Sequence, residues 1–306
     1  MASSKLGFNA SWSMAVGGMV GGGIFSTLGV IIGISGAWAW LSFVVAGLVA
    51  LLAGYSYSKL ASHYGEGGGA FTFLREIHAD GFAGSLSWVL IVGYVLTNAV
   101  YAFTFGEYLA YVIGGGEWIP RIAAVSVVGL FVVLNLRGAG EASGVEIVLV
   151  WFKLVALVGL SVYGLVRWRP ELLSPSGPTM SPWSALVGAA SVFMAYEGFQ
   201  LLTYDYDDIE DPDRTVGRAI MSAILAVIVV YVVVSIGVAM LVGADAIIEN
   251  QEVALALAGK EAAATVTITR PKVPAASLPA NAKATSWFSM IASAPTSIAT
   301  PMLTTT

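Results

Sequence analysis

Few side chains in this chain are equipped for chemistry, and the most telling stands where an acid is hard to keep. Glu197 lies beside Gly198 in the apolar run Ser191-Val192-Phe193-Met194-Ala195-Tyr196-Glu197-Gly198-Phe199-Gln200. If that run crosses a bilayer, an ionisable group there costs at least about 2.5 kcal/mol and is a functional candidate. It could also be a structural acid that caps broken backbone or pairs with Lys153. Lys153 sits about ten residues into another apolar run, roughly 15 Å along a helix. Snorkelling lysines stay near helix ends, so this one faces protein. A third group, Asn98, Tyr101, Thr104 and Glu107, recurs at helical spacing as one polar stripe. It either lines a path or bonds neighbouring helices.

The elements that must position these groups are membrane spans. The chain has 306 residues, 57% hydrophobic and 11% charged, where about a quarter charged is usual for globular domains. About 20 apolar residues cross a bilayer. Seven such segments are expected, at 10–34, 38–61, 84–112, 121–136, 143–167, 184–204 and 216–243. With the N-terminus inside, six basic residues (Lys5, Lys59, Arg75, Arg137, Arg214, Arg218) fall on the cytoplasmic side. Four (Arg121, Arg167, Arg169, Lys260) fall outside, which favours that orientation in the cell membrane. Between spans two and three, Glu66-Gly67-Gly68-Gly69 with Phe71, Phe73, Leu74 and Ile77 suits a short amphipathic helix on the inner surface. No Gly-Lys-Ser/Thr follows those glycines, which argues against a phosphate loop.

Two spans carry interruptions. The first holds Val16-Gly17-Gly18-Met19-Val20-Gly21-Gly22-Gly23-Ile24-Phe25. Each glycine there costs a helix interior roughly 1 kcal/mol against alanine. Gly21 lies about 18 Å along the span, near the bilayer midplane. Unwound backbone at that depth survives only where it is buried in protein or lines a cavity. The cluster alone fits either a discontinuous helix with free N–H and C=O groups or a small-residue packing surface. Glu197-Gly198 in span six favours the first reading. Paired interruptions in corresponding positions are the best sequence pointer to a transporter binding site. Non-helical backbone is therefore expected over Gly21–Ile24 and Ala195–Phe199, with the two breaks side by side.

At this point the residues resemble a known family. Gly21-Gly22-Gly23-Ile24-Phe25 is similar to the Gly-Ser-Gly-Ile-Phe signature of amino acid–polyamine–organocation permeases. Asn135-Leu136-Arg137-Gly138, Ser143-Gly144 and Lys153-Leu154 resemble the link from helix 4 into helix 5. Phe193–Phe199 resembles the broken sixth helix, and Asp207–Ile220 the cytoplasmic stretch after it. Gly22 departs from the signature serine and Gly217 from a usual proline.

The resemblance implies an all-α integral membrane fold of two inverted five-helix repeats. It implies an amino acid or related amine held at Gly21, Gly22, Gly23, Ile24 and Phe25 of helix 1 and Tyr196, Glu197, Gly198 and Phe199 of helix 6. Asn98 and Tyr101 of span three would line the same path. A helix N-terminus suits the carboxylate and exposed carbonyls the ammonium. Lys153 then stands where sodium-coupled relatives hold a cation, so its protonation would couple transport to protons; a structural ion pair is the alternative.

On this reading residues 1–170 form the first repeat, 171–261 the start of the second with helices 6 and 7, and 262–306 an irregular tail. That tail holds prolines 271, 274, 279, 295 and 301 and stands where helix 8 should be, so the chain is expected to be incomplete and unstable on its own. Two functions compete: secondary transport of amino acids or amines by alternating access, or a non-transporting fragment or subunit whose membrane partner supplies missing helices. No cofactor or metal is called for. The chain has no cysteine and two histidines, neither in a span, and its net charge is −5. Those facts argue against an enzyme, a metal cluster and a nucleic-acid surface. The acidic run Asp205–Asp213 lacks the spacing of a calcium loop.

Overall fold

The computed structural model describes residues 5–114, 116–137, 142–177 and 180–267. Its first apolar run makes two helices, α1 (Phe8–Met19) and α2 (Gly22–Ser35), separated by Val20 and Gly21. A 3-10 turn at Gly36–Trp38 leads into α3 (Ala39–Tyr64), which ends on Gly65 in the left-handed conformation usual for a helix stop. The short amphipathic helix α4 (Ala70–Glu76) follows, then α5 (Asp80–Ile113), α6 (Ile119–Arg137) and α7 (Ala142–Arg167). The sixth span is α8 (Ser184–Val192) continued by 3-10 turns at Phe193–Tyr196 and Phe199–Thr203. Pro212 opens α9 (Pro212–Val242), where its missing N–H costs nothing. Two further helices, α10 (Ala244–Glu249) and α11 (Ala254–Thr267), close the described chain.

Among the described residues, four helical stretches are long and apolar enough to cross a membrane: Phe8–Tyr64, which contains α1 to α3, Gly81–Ile113, Ile147–Arg167 and Pro212–Val242. Ile119–Val133 and Ser184–Tyr196 are apolar but shorter. The seven expected spans thus fall on helical segments, and the protein is an all-α membrane protein. Within each helix the backbone bonds to itself, as hydrocarbon demands.

The core gathers on α9. Its aliphatic face packs against α1, α3 and α7, and Val216, Ile220, Ile224, Val227, Tyr231, Val234 and Val238 are all buried. On α5, Trp88, Val92, Val95 and Leu96 are exposed, as side chains facing lipid should be.

One boundary moves. An irregular tail is expected from 262, yet α11 runs on to Thr267. Ala262, Ala263 and Ala264 are the strongest helix formers there, and the proline-bearing part begins later. Residues 268–306, the rest of that expected tail, lie outside the described residues, as does Gly138 of the helix 4–5 motif.

Candidate functional site

Both interruptions exist, but they are narrower than expected. Gly22, Gly23 and Ile24 already belong to α2, so only Val20 and Gly21 are unwound. On the other side Ala195 and Tyr196 lie in a 3-10 turn, leaving Glu197 and Gly198 as the break. The physical reason is the cost of bare backbone at this depth, several kcal/mol per unsatisfied group. Each chain rewinds as soon as it can. The first N–H groups of α2, like those of any helix, have no intrahelical partner, and no side chain caps them.

The breaks lie against each other, backbone to backbone. Gly198 has φ +126°, a conformation essentially closed to side-chain-bearing residues. A methyl group built on it would stand 2.6 Å from the Gly18 carbonyl carbon. A methyl on Gly23 would stand 2.8 Å from Ala195 Cα. These glycines serve both readings of the sequence at once: one permits the break, the others permit the approach.

The loosened backbone groups are largely satisfied from within. Gly198 N–H donates to Gln200 Oε1 at 2.9 Å, and Glu197 N–H to Met194 O at 3.1 Å. The Tyr231 hydroxyl of α9 lies 2.6 Å from Met19 O and 2.8 Å from Ala195 O. That single O–H therefore ties the end of α1 to the turn before the second break. Sequence reading missed Tyr231. The available signal was one hydroxyl in an otherwise aliphatic run from Ile224 to Val234, at a depth where each polar atom needs a partner.

The expected site residues divide. Tyr101 is brought to the first break, its ring on Gly22, and it shares an electrostatic neighbourhood with Glu197 and Tyr231. The Glu197 carboxylate is half-buried, with Tyr101 and Tyr204 near it. Ile24 is fully buried. Tyr196 is fully buried too, and its hydroxyl is committed to Phe43 O of α3 at 2.8 Å. The Phe199 ring packs edge-on against Tyr57. Phe25 meets Tyr108, whose hydroxyl donates to Phe25 O at 3.1 Å and accepts from Leu255 N–H at 3.3 Å. Of the polar stripe, Thr104 is buried and Asn98 is exposed. Lys153 is half-buried on α7.

At the end of the bundle near the N-terminus, backbone ties close the structure. Leu6 N–H donates to Asp208 O at 2.8 Å, and Glu210 N–H to Leu6 O at 2.9 Å. The N–H groups of Gly67, Gly68 and Gly69 donate to Asp207 Oδ2, Tyr204 O and Thr203 O. Those donors face a carboxylate and two carbonyls, which agrees with the sequence argument against a phosphate loop. At the far end of α5, Gln251 lies directly on α2, where a methyl built on Gly29 would overlap its Cα. Lys260 Nζ donates to Tyr111 O at 2.8 Å. Burial, and next the neighbouring Glu107 carboxylate, raise the Glu252 carboxyl above its usual range.

Comparison with known proteins converges on one group. The family model described as amino acid permease matches residues 6–299. An uncharacterized protein of Methanocaldococcus jannaschii is 33% identical over 260 residues, covering 84% of this chain and 60% of that protein. The inner membrane transport protein YbaT of Escherichia coli is 29% identical over 69% of this chain and 50% of its own length. The chloroplastic cationic amino acid transporter 6 of Arabidopsis thaliana is 27% identical over 76% of this chain and 44% of its own. The chain spans about half the length of the curated relatives it matches.

Proposed function

The chain belongs to the amino acid permease family, and on that premise we propose that it carries an amino acid or related amine across the cell membrane by alternating access. The observation that carries this reading is the contact of two broken helices, with Glu197 at the junction. The first turn of α2 offers uncapped N–H groups and the positive end of a helix to a carboxylate. Glu197 and the carbonyls before it offer the complement to an ammonium. Gly21, Gly22, Gly23, Ile24, Phe25, Tyr101, Tyr196, Glu197, Gly198 and Phe199 make up this proposed site. Asn98, exposed on α5, joins it only as part of an approach path. The relatives named as transporters favour the same substrate class.

The finer features belong to the proposal. The N-terminus faces the cytoplasm. Residues 1–170 form one five-helix repeat, and the chain from 171 onward opens an inverted second one. Protons drive accumulation, with Lys153 gaining and losing the coupling proton on α7. Uptake of labelled amino acids into proteoliposomes is the test. Saturable uptake that a proton gradient accelerates supports the reading, and its absence across a full panel overturns it. Lys153→Ala is expected to abolish proton-driven accumulation while leaving exchange of internal for external substrate. Pumping by that variant at the wild-type level removes Lys153 from the mechanism. A second reading, a subunit acting with a membrane partner, is favoured by one feature. An apolar groove of about 480 Å³ lies between α1, α7 and α9, lined by Trp12, Val16, Trp151, Leu154 and Val230, and it offers an apolar face to a neighbouring membrane segment. Co-purification from the native membrane separates the two readings.

A further inference from the structure

The Tyr101 ring fills the space that a side chain at position 22 would take. A Cβ added to Gly22 would overlap Tyr101 Cδ1 and Cε1 and lie 2.7 Å from Cγ. Contacts of this kind with a ring carbon next to the tyrosine's own Cβ cannot be relieved by a small torsion. Any side chain at position 22 therefore drives the ring away. Gly21 feels the same ring, with a built Cβ 3.9 Å from Cε2. The phenol also reaches the neighbourhood of Glu197, so Tyr101 extends from α5 across the first turn of α2 toward the second break. The breaks press together through Gly18, Gly23, Ala195 and Gly198. Tyr101 packs on α2 at Gly22.

We propose that Gly22 and Tyr101 are a matched pair that limits substrate size, holding the site to amino acids with small side chains. This rests on the transport reading above. A zwitterion fixed by its carboxylate on α2 and its ammonium beside Glu197 has its backbone directed at the two breaks. On this proposal its side chain extends toward α5, where the Tyr101 ring packs over Gly22. The absence of a side chain at position 22 is what lets the ring lie there. One methylene in a hydrophobic pocket is discriminated by about 10–200-fold, so a ring-sized obstruction is ample to set a preference.

The test is binding of glycine, alanine, leucine and phenylalanine to purified wild type, Tyr101→Phe, Tyr101→Ala, Gly22→Ser and the double variant, with melting temperatures measured alongside. Wild type is expected to bind alanine at least tenfold more tightly than phenylalanine. Tyr101→Phe keeps that ratio, because it keeps the ring, and Tyr101→Ala lowers it at least tenfold. Gly22→Ser pushes the ring into the space left for alanine and loses alanine binding, and adding Tyr101→Ala restores it by removing the ring. An unchanged ratio in Tyr101→Ala overturns the size limit, as does Gly22→Ser damage equal in both backgrounds. If Gly22→Ser fails to fold, the Tyr101 series alone decides the point. Wild type that binds none of an extended amino-acid panel overturns the transport reading, and the size limit falls with it. Wild type that binds with no size preference overturns only the size limit.

Discussion

Replacing Tyr231 with phenylalanine removes one oxygen from a fully buried position and changes almost nothing in shape. What it removes is the donor that serves both Met19 O and Ala195 O. No backbone N–H outside the helices reaches either carbonyl among the described residues, and both stand where helical bonding has stopped. A buried acceptor left without a partner costs about 1–3 kcal/mol. One proton serves two acceptors here, so about 2 kcal/mol is the reasoned loss rather than double that. At about 2–4 °C per kcal/mol for a domain of a few hundred residues, Tyr231→Phe should melt roughly 4–8 °C lower in detergent. Tyr196→Phe is the control. Its hydroxyl bonds Phe43 O, which lies inside α3 and keeps its helical partner, so the loss should be about 1 kcal/mol or less. On the transport reading, Tyr231→Phe should also weaken amino-acid binding, whereas Tyr196→Phe should weaken it less. If Tyr231→Phe melts with wild type, or no lower than Tyr196→Phe, the hydroxyl does not hold the breaks together and the reasoning fails.

Other outcomes follow from the same contacts. Gly198→Ala meets both a forbidden φ and the Gly18 backbone, so a loss of about 3 kcal/mol or more is expected; wild-type yield of monodisperse protein would sink that claim. Tyr108→Phe breaks two ties at the far end of α5, worth about 2 kcal/mol together or about thirtyfold in opening. Because the native chain has no cysteine, the maleimide labelling rate of Leu255→Cys reads that opening directly, and an unchanged rate would count against the ties. Glu252, whose carboxyl is raised by burial and then by Glu107, takes up its proton more readily when packed than when free. The packed segment should therefore loosen as pH climbs from the ordinary carboxylate range through the raised value, and tighten in acid. Hydrogen exchange of residues 251–255 should show this slope, and Glu252→Gln should flatten it.

Much of this was legible in the sequence because membrane helices announce themselves by length. The glycine cluster at 17–23 and the pair Glu197-Gly198 located both breaks to within a few residues. What composition does not encode is extent. Glycine tolerates unwinding, but Gly22 and Gly23 rewind because helix lies lower in free energy than bare backbone. Cross-chain partners were the other blind spot. Tyr231 and Tyr108 act through single oxygens on elements distant in sequence, and nothing local distinguishes them from packing tyrosines. The polar stripe on α5 shows the limit from the other side. Its spacing was real, yet Tyr101 meets the break, Glu107 neighbours Glu252 and Asn98 is exposed, because helical period fixes a face and leaves the neighbours at each level open.

The stretch 203–210 near the N-terminus and the seam between α2 and α5 at the far end are tied unequally, and on the transport reading that difference has a direction. α5 runs about 50 Å from one end to the other at 1.5 Å per residue. Among the described residues, five hydrogen bonds near the N-terminus hold the segments around Leu6, Gly67, Gly68 and Gly69 to residues 203–210. At the far end three hold residues 255 and 260 to α5 and α5 to α2: Tyr108 to Phe25, Leu255 to Tyr108, and Lys260 to Tyr111. The bonds from Arg169 to Leu241 and from Ser176 to Asp245 join the connection before α8 to α9 and α10, and that from Ser35 to Ser184 joins α2 to α8; none of them crosses the seam between α2 and α5. At about 1 kcal/mol each, opening the N-terminal end costs about 2 kcal/mol more than opening that seam. A difference of that size leaves the minor state populated at a few per cent, within the range a ligand can invert. The far end is thus the one expected to open first, admitting substrate from the side opposite the N-terminus. Labelling of single cysteines placed at positions 6 and 255 measures both rates in one protein. Faster reaction at position 6 in the absence of substrate would reverse the assigned direction.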